Sequence, residues 1–130
     1  MSDESDVIQA FDALFDAALD DRDADAMLAL FAQDDDITFW GSDEPERGVG
    51  PEGVRALADA IVSSRSTLRF RWDERRVHVE AKVAWVNATG SFEATSEDGV
   101  ARTAAYRLTA VFVRRGEHWL WHTFSGAEPN

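Results

Sequence analysis

His122 is the residue of this sequence best suited to proton transfer, because an imidazole titrates near neutral pH. It falls in a segment that predicts a β-strand, where strict alternation gives it the same face as Leu120 and Phe124, opposite to Trp121. In that apolar setting it is a candidate acid or base. Asp36, which precedes an earlier strand, is the candidate general base at the rim of the same pocket. A structural histidine and a water-facing turn are the alternative interpretations.

The run Asp34–Asp36 could hold a divalent cation, because carboxylate oxygens are ligands that such ions prefer. Three consecutive side chains cannot all point to one site, however, and this favours a helix end that faces water. The sequence has neither a Glu-x-x-His nor a His-x-His spacing and contains no cysteine, so zinc and thiolate chemistry are not indicated. We therefore expect no metal and no cofactor.

Tyr106, the only tyrosine, is followed by Arg107 in a long apolar strand. Neighbouring strand residues face opposite sides of a sheet, so at most one of the two lines a pocket. A half-buried arginine needs an acidic partner, such as Glu93 on the neighbouring strand, or it binds the carboxylate of a ligand. Both residues stay candidates for ligand binding.

Aromatic residues are abundant, and all 5 tryptophans fall on predicted strands. Trp40 and Trp72, together with Phe15 and Phe39, are the candidate walls of a pocket for a planar or apolar ligand. Packing in the core or in a dimer interface is the alternative interpretation.

The length of 130 residues favours one domain with one core, over residues 1–130. The formal net charge of -12 repels phosphate backbones and anionic membrane surfaces, so nucleic acid and membranes are poor partners. No apolar stretch approaches the ~20 residues needed to span a bilayer, and the N-terminal residues are acidic where a secretory signal would be basic. We expect a cytoplasmic protein.

Apolar residues recur at helical spacing in the first half of the chain and predict three helices. The first covers residues 5–20, and a short second helix follows a cap at Asp23 or Asp25. The third begins at Pro51, after a loop over residues 41–50 that is rich in glycine.

From residue 67 the apolar period changes to two, which predicts strands. Their expected bounds are 67–79, 83–94, 102–114 and 118–125, and a short strand over 37–40 precedes the third helix. Three helices followed by hairpin-linked strands indicate an α+β fold, with the helices packed on one face of a strongly curved, mainly antiparallel sheet that forms a cone. The wide end of the cone is a natural site for a small molecule. Apolar residues on both sheet faces predict a homodimer through the sheet.

The order of several segments resembles the SnoaL-like branch of the nuclear transport factor 2-like superfamily. Its most telling pieces are the Ala-Trp-Val strand at 84–86, the Arg-Arg-Gly turn before Trp119 and the closing stretch from Phe124 to Pro129. The resemblance extends over nearly the whole chain and implies a cystatin-like cone. Because this superfamily includes isomerases, cyclases, dehydratases, hydrolases and assembly domains, the resemblance does not fix the function.

The ketosteroid isomerases of this superfamily imply three site positions: an Asp base, a Tyr donor and a second Asp that stays protonated. In this sequence the base position falls on Thr38 or Phe39, the tyrosine position on Phe15, and the second acid on Thr109 or Ala110. None of these side chains can take the corresponding role. Steroid-type isomerisation by this set of residues is therefore not expected.

Three functions stay open. The first is the binding of a small apolar or aromatic molecule in the cone pocket of a SnoaL-like protein. The second is an isomerase, cyclase or dehydratase that acts on a small apolar substrate with His122 as acid or base. The third is a structural dimerisation domain with a filled cone. The sequence leaves open whether the protein is an enzyme.

Overall fold

A computed structural model describes residues 2–42 and 46–129. The predicted loop over 41–50 falls partly on residues 43–45, which lie outside the described residues. The helices are α1 (Asp3–Phe15), α2 (Ala24–Ala29) and α3 (Gly50–Ser63), and a π-helical turn, Asp16–Asp20, continues α1.

The strands are β1 (Thr38–Trp40), β2 (Arg47–Val49), β3 (Thr67–Glu80), β4 (Val83–Thr95), β5 (Ala101–Arg115) and β6 (His118–Ala127). They form one six-stranded sheet in the order β2-β1-β6-β5-β4-β3. Neighbouring strands are antiparallel except β1 and β6, which run parallel. The predicted α+β class, with helices packed on a mainly antiparallel sheet, is confirmed.

The apolar stripe of α1 packs on the inner face of the sheet. Val7, Phe11 and Leu14 recur at spacings of three and four residues and are buried. The Ser2 hydroxyl accepts a hydrogen bond from the Ser5 N–H at 3.2 Å, so the helix begins two residues earlier than predicted.

The predicted first helix changes its period near the end. After Phe15 the chain widens into the π-helical turn, where the Asp21 N–H donates to the carbonyl oxygen of Asp16 at 2.9 Å. This turn places Ala17 and Ala18 in the interior. The change of pitch lies beside the cavity described below.

β2 corrects the predicted loop over 41–50. It pairs antiparallel with β1 near the sheet edge, with Phe39 opposite Gly48. A Cβ on Gly48 would lie 2.5 Å from the carbonyl oxygen of Gly53 in α3. This glycine therefore allows a strand to approach a helix closely, although glycine-rich sequence is typical of a loop.

Two irregularities bend the sheet. The register of β3 and β4 shifts between Trp72 and Glu74, and the register of β5 and β6 shifts between Val111 and Phe112, opposite His122. β-Bulges bend a strand and increase its local twist. The sheet thereby gains the curvature that lets it close around α1.

The two faces of the sheet differ along β5. Tyr106, Leu108 and Ala110 are buried on the inner face, whereas Arg107 and Thr109 are exposed on the outer face. No helix among the described residues has the length and apolar character needed to cross a membrane.

Candidate functional site

A cavity of about 80 Å³ lies between the helices and the inner face of the sheet. We call it the inner cavity. Its apolar wall comes from the helices, the π-helical turn, the inner sheet face and the loop after β1, and consists of Leu14, Phe15, Ala18, Leu19, Met27, Phe39, Gly41, Ile61, Leu68, Phe70 and Phe124. Glu46 and Tyr106 are the polar side chains that reach it.

Aromatic contacts fix the shape of the inner cavity. The ring of Phe15 lies 5.1 Å from that of Phe70 and 6.1 Å from that of Phe124. Phe39 lies 4.6 Å from Phe124, and Tyr106 meets Phe70 edge to face at 5.1 Å. These centroid distances are those of favourable aromatic packing. These ring contacts hold the wall of the inner cavity in place.

A second cavity of about 150 Å³ adjoins the inner cavity and shares Glu46, Leu68, Phe70 and Tyr106 with it. We call it the outer chamber. The four shared residues form the boundary between an apolar compartment and a polar one.

Ser42, Arg102 and Glu128 supply the polar wall of the outer chamber. The Ser42 hydroxyl donates to Oε2 of Glu128 at 2.7 Å, and Nη1 of Arg102 donates to Oε1 at 3.1 Å. Both hydrogen bonds lower the pKa of Glu128, and the bond from Ser42 has the larger effect. Glu128 is therefore a carboxylate at neutral pH. The Arg102 guanidinium also stands 5.0 Å over the ring of Phe92.

The two predicted acid–base residues lie together, but neither lines the inner cavity or the outer chamber. Nε2 of His122 is 3.0 Å from Oδ1 of Asp36, and Nδ1 is 2.7 Å from Oγ1 of Thr123. Because a carboxylate only accepts hydrogen bonds, Nε2 carries a proton. The His122 side chain is 21% exposed and that of Asp36 is 79% exposed, so the pair is open to water.

The predicted face of His122 is wrong, and a β-bulge is the cause. The pairing of β6 with β5 shifts between Trp121 and Thr123, which makes His122 the extra residue. Trp121 and Phe124 are consequently both buried, although strict alternation would send them to opposite faces. The bulge removes His122 from the apolar interior.

Asp34 adds a third group to this pair. One carboxylate oxygen of Asp34, one of Asp36 and one ring nitrogen of His122 all lie within 4.8 Å of one another, and Asp35 is not part of the group. Nη2 of Arg115 pairs with Asp34 at 2.7 Å. The Arg115 guanidinium therefore already compensates the negative charge of Asp34, one of the three groups that a bound cation would need. The group therefore forms an ion-pair network, and we assign no metal to it.

The predicted aromatic wall is distributed over three places. Phe15 and Phe39 line the inner cavity, and Tyr106 reaches it from β5. Trp72 lies on the same sheet face, with its ring 5.5 Å from that of Phe15, but it lines a neighbouring surface groove. Trp40 is 40% exposed, because it faces opposite to Phe39 on β1.

Arg107 faces away from both cavities. It is exposed on the outer face and lines a groove of about 410 Å³ there. The register places it opposite Thr89, whereas Glu93 lies opposite Thr103, so the suggested pairing of Arg107 with Glu93 is wrong. A ligand in the inner cavity cannot reach this guanidinium.

The positions implied by the ketosteroid isomerases carry no acid or base in the fold either. Phe15 and Phe39 contribute rings to the inner cavity, and Ala110 is buried on the inner face. Thr109 faces outward and donates a hydrogen bond to Oδ1 of Asn87 at 3.1 Å.

Glu46 is the candidate that the sequence did not single out. Its carbonyl oxygen accepts a hydrogen bond from the Gly41 N–H at 2.7 Å, which closes the connection between β1 and β2. Its side chain lines both cavities. One carboxylate among the 25 acidic residues of the chain has no distinguishing pattern, so only the pairing of the two strands reveals its place.

Helices that close over the inner face of a bent sheet, with a cavity between them, define an α+β cone. The chain belongs to the SnoaL-like domain family, whose model matches residues 7–125. The resemblance seen in the sequence is thereby confirmed. No curated protein matches the sequence.

Solved structures share the fold over nearly the whole chain. A candidate dehydratase of the NTF2-like family from Streptomyces avermitilis has a TM-score of 0.85 at 18% identity, over 98% of this chain and 96% of that chain. An NTF2-like superfamily protein from Salmonella enterica has a TM-score of 0.81 at 14% identity, over 98% and 91%. A ketosteroid isomerase-like protein from Erwinia carotovora has a TM-score of 0.77 at 18% identity, over 99% and 98%. At these identities the likeness shows the fold alone.

Acidification tests the contact between Asp36 and His122. The hydrogen bond from His122, followed by its positive charge, holds the pKa of Asp36 below the ordinary value of 3.8. A carboxyl whose pKa is lower in the folded chain stabilises the fold above its unfolded value and loses that contribution as the pH falls through the folded value. Asp36→Asn should therefore melt at a lower temperature than the wild type at about pH 5. The difference should shrink as the pH falls below 3.8 and disappear once the pH is below the lowered pKa of Asp36 in the folded chain.

Circular dichroism measures both melting temperatures across this range. Asp35→Asn, which removes the same charge from the exposed neighbour, is the matched control. An effect of Asp36→Asn that persists in acid, or an equal effect of Asp35→Asn, would contradict the assigned contact.

Proposed function

We propose that this protein binds a small apolar or aromatic molecule in the inner cavity. The observation that carries the proposal is the wall itself: aromatic and aliphatic side chains surround the space, and Glu46 and Tyr106 stand at its boundary. Apolar walls with a few placed polar groups are typical of small-molecule sites. Apolar ligand surface that leaves water supplies the affinity.

The volume limits the size of the ligand. About 80 Å³ is small beside the roughly 300–1,000 Å³ of pockets for drug-sized molecules. The outer chamber adds about 150 Å³. We expect a ligand no larger than one ring or a short branched chain, which extends from the inner cavity into the outer chamber and places any polar end there.

An isomerase, cyclase or dehydratase that uses His122 is the second candidate. The separation of 3.0 Å between His122 and Asp36 favours it. Two of the similar structures are described as a candidate dehydratase and as a ketosteroid isomerase-like protein. These descriptions concern those two proteins and not this chain. A substrate in the inner cavity would not meet this pair, which makes ligand binding the better supported function. The cavity itself disfavours a filled cone.

We also propose that a second copy of the chain covers the outer face of the sheet. Val83 is 40% exposed, and Trp85, Val111 and Val113 are half-buried on this face. The ring of His78 stacks on Trp85 at 4.4 Å. An apolar strip of this kind is typical of an association surface, and the net charge of -12 disfavours nucleic acid and anionic membranes as its partner.

Filling the inner cavity tests the ligand site. Ala18 lines the cavity and is 7% exposed. Toluene should raise the melting temperature of the wild type, because a ligand that binds the native state stabilises it by mass action. Ala18→Leu should weaken toluene binding by on the order of tenfold, because the larger side chain takes the same space.

Ala60→Leu, which makes the same change on the exposed face of α3, is the matched control and should respond to toluene like the wild type. Equal responses of all three proteins would contradict the inner cavity as the site. A wild type that does not respond to toluene at its solubility limit would contradict the proposed function.

Sedimentation tests the dimer. The wild type should sediment with twice the 14.5 kDa of one chain. Trp85→Arg should give the monomer, because it places a charge in an apolar interface. Val100→Arg makes a comparable change between β4 and β5, where Val100 is 65% exposed, and should stay dimeric. A wild-type species of 14.5 kDa is the contrary result.

A further inference from the structure

β3 is a long edge strand of the sheet. Among the described residues it has a neighbouring strand on one side only, because the order of strands ends with it. It has 14 residues, whereas edges that are protected against further pairing are commonly short. The bulge between Trp72 and Glu74 interrupts this edge, so residues 68–72 form its first regular part. The backbone groups on the outer side of this part are available to a further strand.

A groove of about 360 Å³ lies between this part of β3 and the first helix. We call it the edge groove. Aromatic and aliphatic side chains form its floor, and charged side chains form its rim. The floor consists of Phe15, Leu19, Leu68, Phe70 and Trp72, and the rim consists of Asp12, Asp16, Asp20 and Arg69.

The helix and the strand run side by side along the edge groove. The ring of Phe11 lies 5.4 Å from that of Trp72, and the ring of Phe15 lies 5.1 Å from that of Phe70. An advance of four residues along α1 therefore corresponds to a step back of two residues along β3. The carboxylates on this side of the helix consequently follow the direction of the strand.

The spacing of these carboxylates matches the repeat of a strand. Asp12, Asp16 and Asp20 recur every four residues, which is about 6 Å along a helix, and alternate residues of a strand are about 6.6 Å apart. Asp12 pairs with Arg75 at 2.6 Å, whereas Asp16 and Asp20 make no ion pair with any described residue. Like charges at this spacing destabilise a helix. Cations at every second position of an added strand would relieve that repulsion.

The opposite face of β3 disfavours a second copy of the chain at this edge. Arg69 and Arg71 are exposed there. If two copies paired antiparallel through residues 68–72, these arginines would lie close to their counterparts, and like charges on neighbouring strands are destabilising. The occupant is therefore a different chain.

We propose that the edge groove binds an extended segment of a partner protein, which adds to β3 as a further strand and carries lysine at every second position. The lysine stems lie on the ring of Trp72, and their ammonium groups reach Asp16 and Asp20. The intervening residues are small and uncharged, such as threonine, because they lie beside Arg69 and Arg71. Main-chain hydrogen bonds supply affinity in this mode, and alternate side chains supply specificity. The proposal does not depend on a ligand in the inner cavity.

Two peptides of the same composition test the alternating pattern. The first has seven residues that alternate between lysine and threonine, beginning and ending with lysine, and both of its ends are capped. The second has its lysines in one block. Amide chemical shifts of the wild type at about pH 7 give the site and the affinity of each. The alternating peptide should cause saturable shifts over residues 68–72 and bind about tenfold more tightly than the block peptide.

Methylated forms of the alternating peptide test the backbone pairing. One form carries N-methyl groups on the lysine amides, and the other carries them on the threonine amides. Successive N–H groups of a strand point to opposite edges, so only one of these two sets can donate to β3. One methylated peptide should therefore lose at least tenfold in affinity, and the other should bind like the parent peptide.

Substitutions in the rim test the role of charge. Asp16→Asn and Asp20→Asn should each weaken binding of the alternating peptide about threefold, because each removes one exposed ion pair. Asp35→Asn is the matched control, because Asp35 is exposed and precedes β1, far from β3 in the order of strands. It should leave the affinity as in the wild type.

Several results would overturn the proposal. Equal affinity of the alternating and block peptides, or an equal effect of Asp35→Asn, would show a general attraction between a basic peptide and an acidic protein. Two methylated peptides that both bind like the parent would exclude pairing with β3. Shifts that are absent from residues 68–72, or no shifts at all, would exclude the edge groove as the site.

Discussion

The position of the helices on the sheet depends on Trp121, which is fully buried between them. Its indole N–H donates to the carbonyl oxygen of Ala10 in α1 at 2.9 Å. Its backbone N–H donates to Leu30, and its carbonyl oxygen accepts from the Ala32 N–H, both at 2.8 Å. One residue of β6 thus holds α1 and the chain that follows α2, and its ring lies 5.6 Å from that of Phe11. The inner cavity exists because these contacts fix the spacing between helices and sheet.

The bulge at His122 links this packing to the site. It allows Trp121 and Phe124 to be buried on the same side, so β6 supplies both the residue that holds the helices and a wall of the inner cavity. From this wall outward the surroundings change from aromatic to charged, ending at Arg102 and Glu128. The site is therefore apolar at its inner end and polar at its outer end, which favours a ligand with an apolar body and one polar end.

Long apolar repeats made most of the fold predictable, because α1, α3 and the four long strands each repeat their buried face over many residues. Phe15 and Phe39 are among the candidate walls of the pocket, and alternation restricts the pocket side of β5 to one of Tyr106 and Arg107 without deciding between them. The place of His122 could not be predicted, because one extra residue reverses the faces of a strand and no local pattern marks it. Glu46 was missed for a different reason: its position depends on the pairing of two three-residue strands and on backbone contacts made by glycines.

Amide chemical shifts during a toluene titration test most directly the claim that the inner cavity is the ligand site. The account predicts saturable shifts at residues that line it, such as Leu14, Phe39 and Tyr106, and none at Arg107 and Thr109 on the outer face. Shifts concentrated on the outer face, or no shifts up to the solubility limit of toluene, would contradict it.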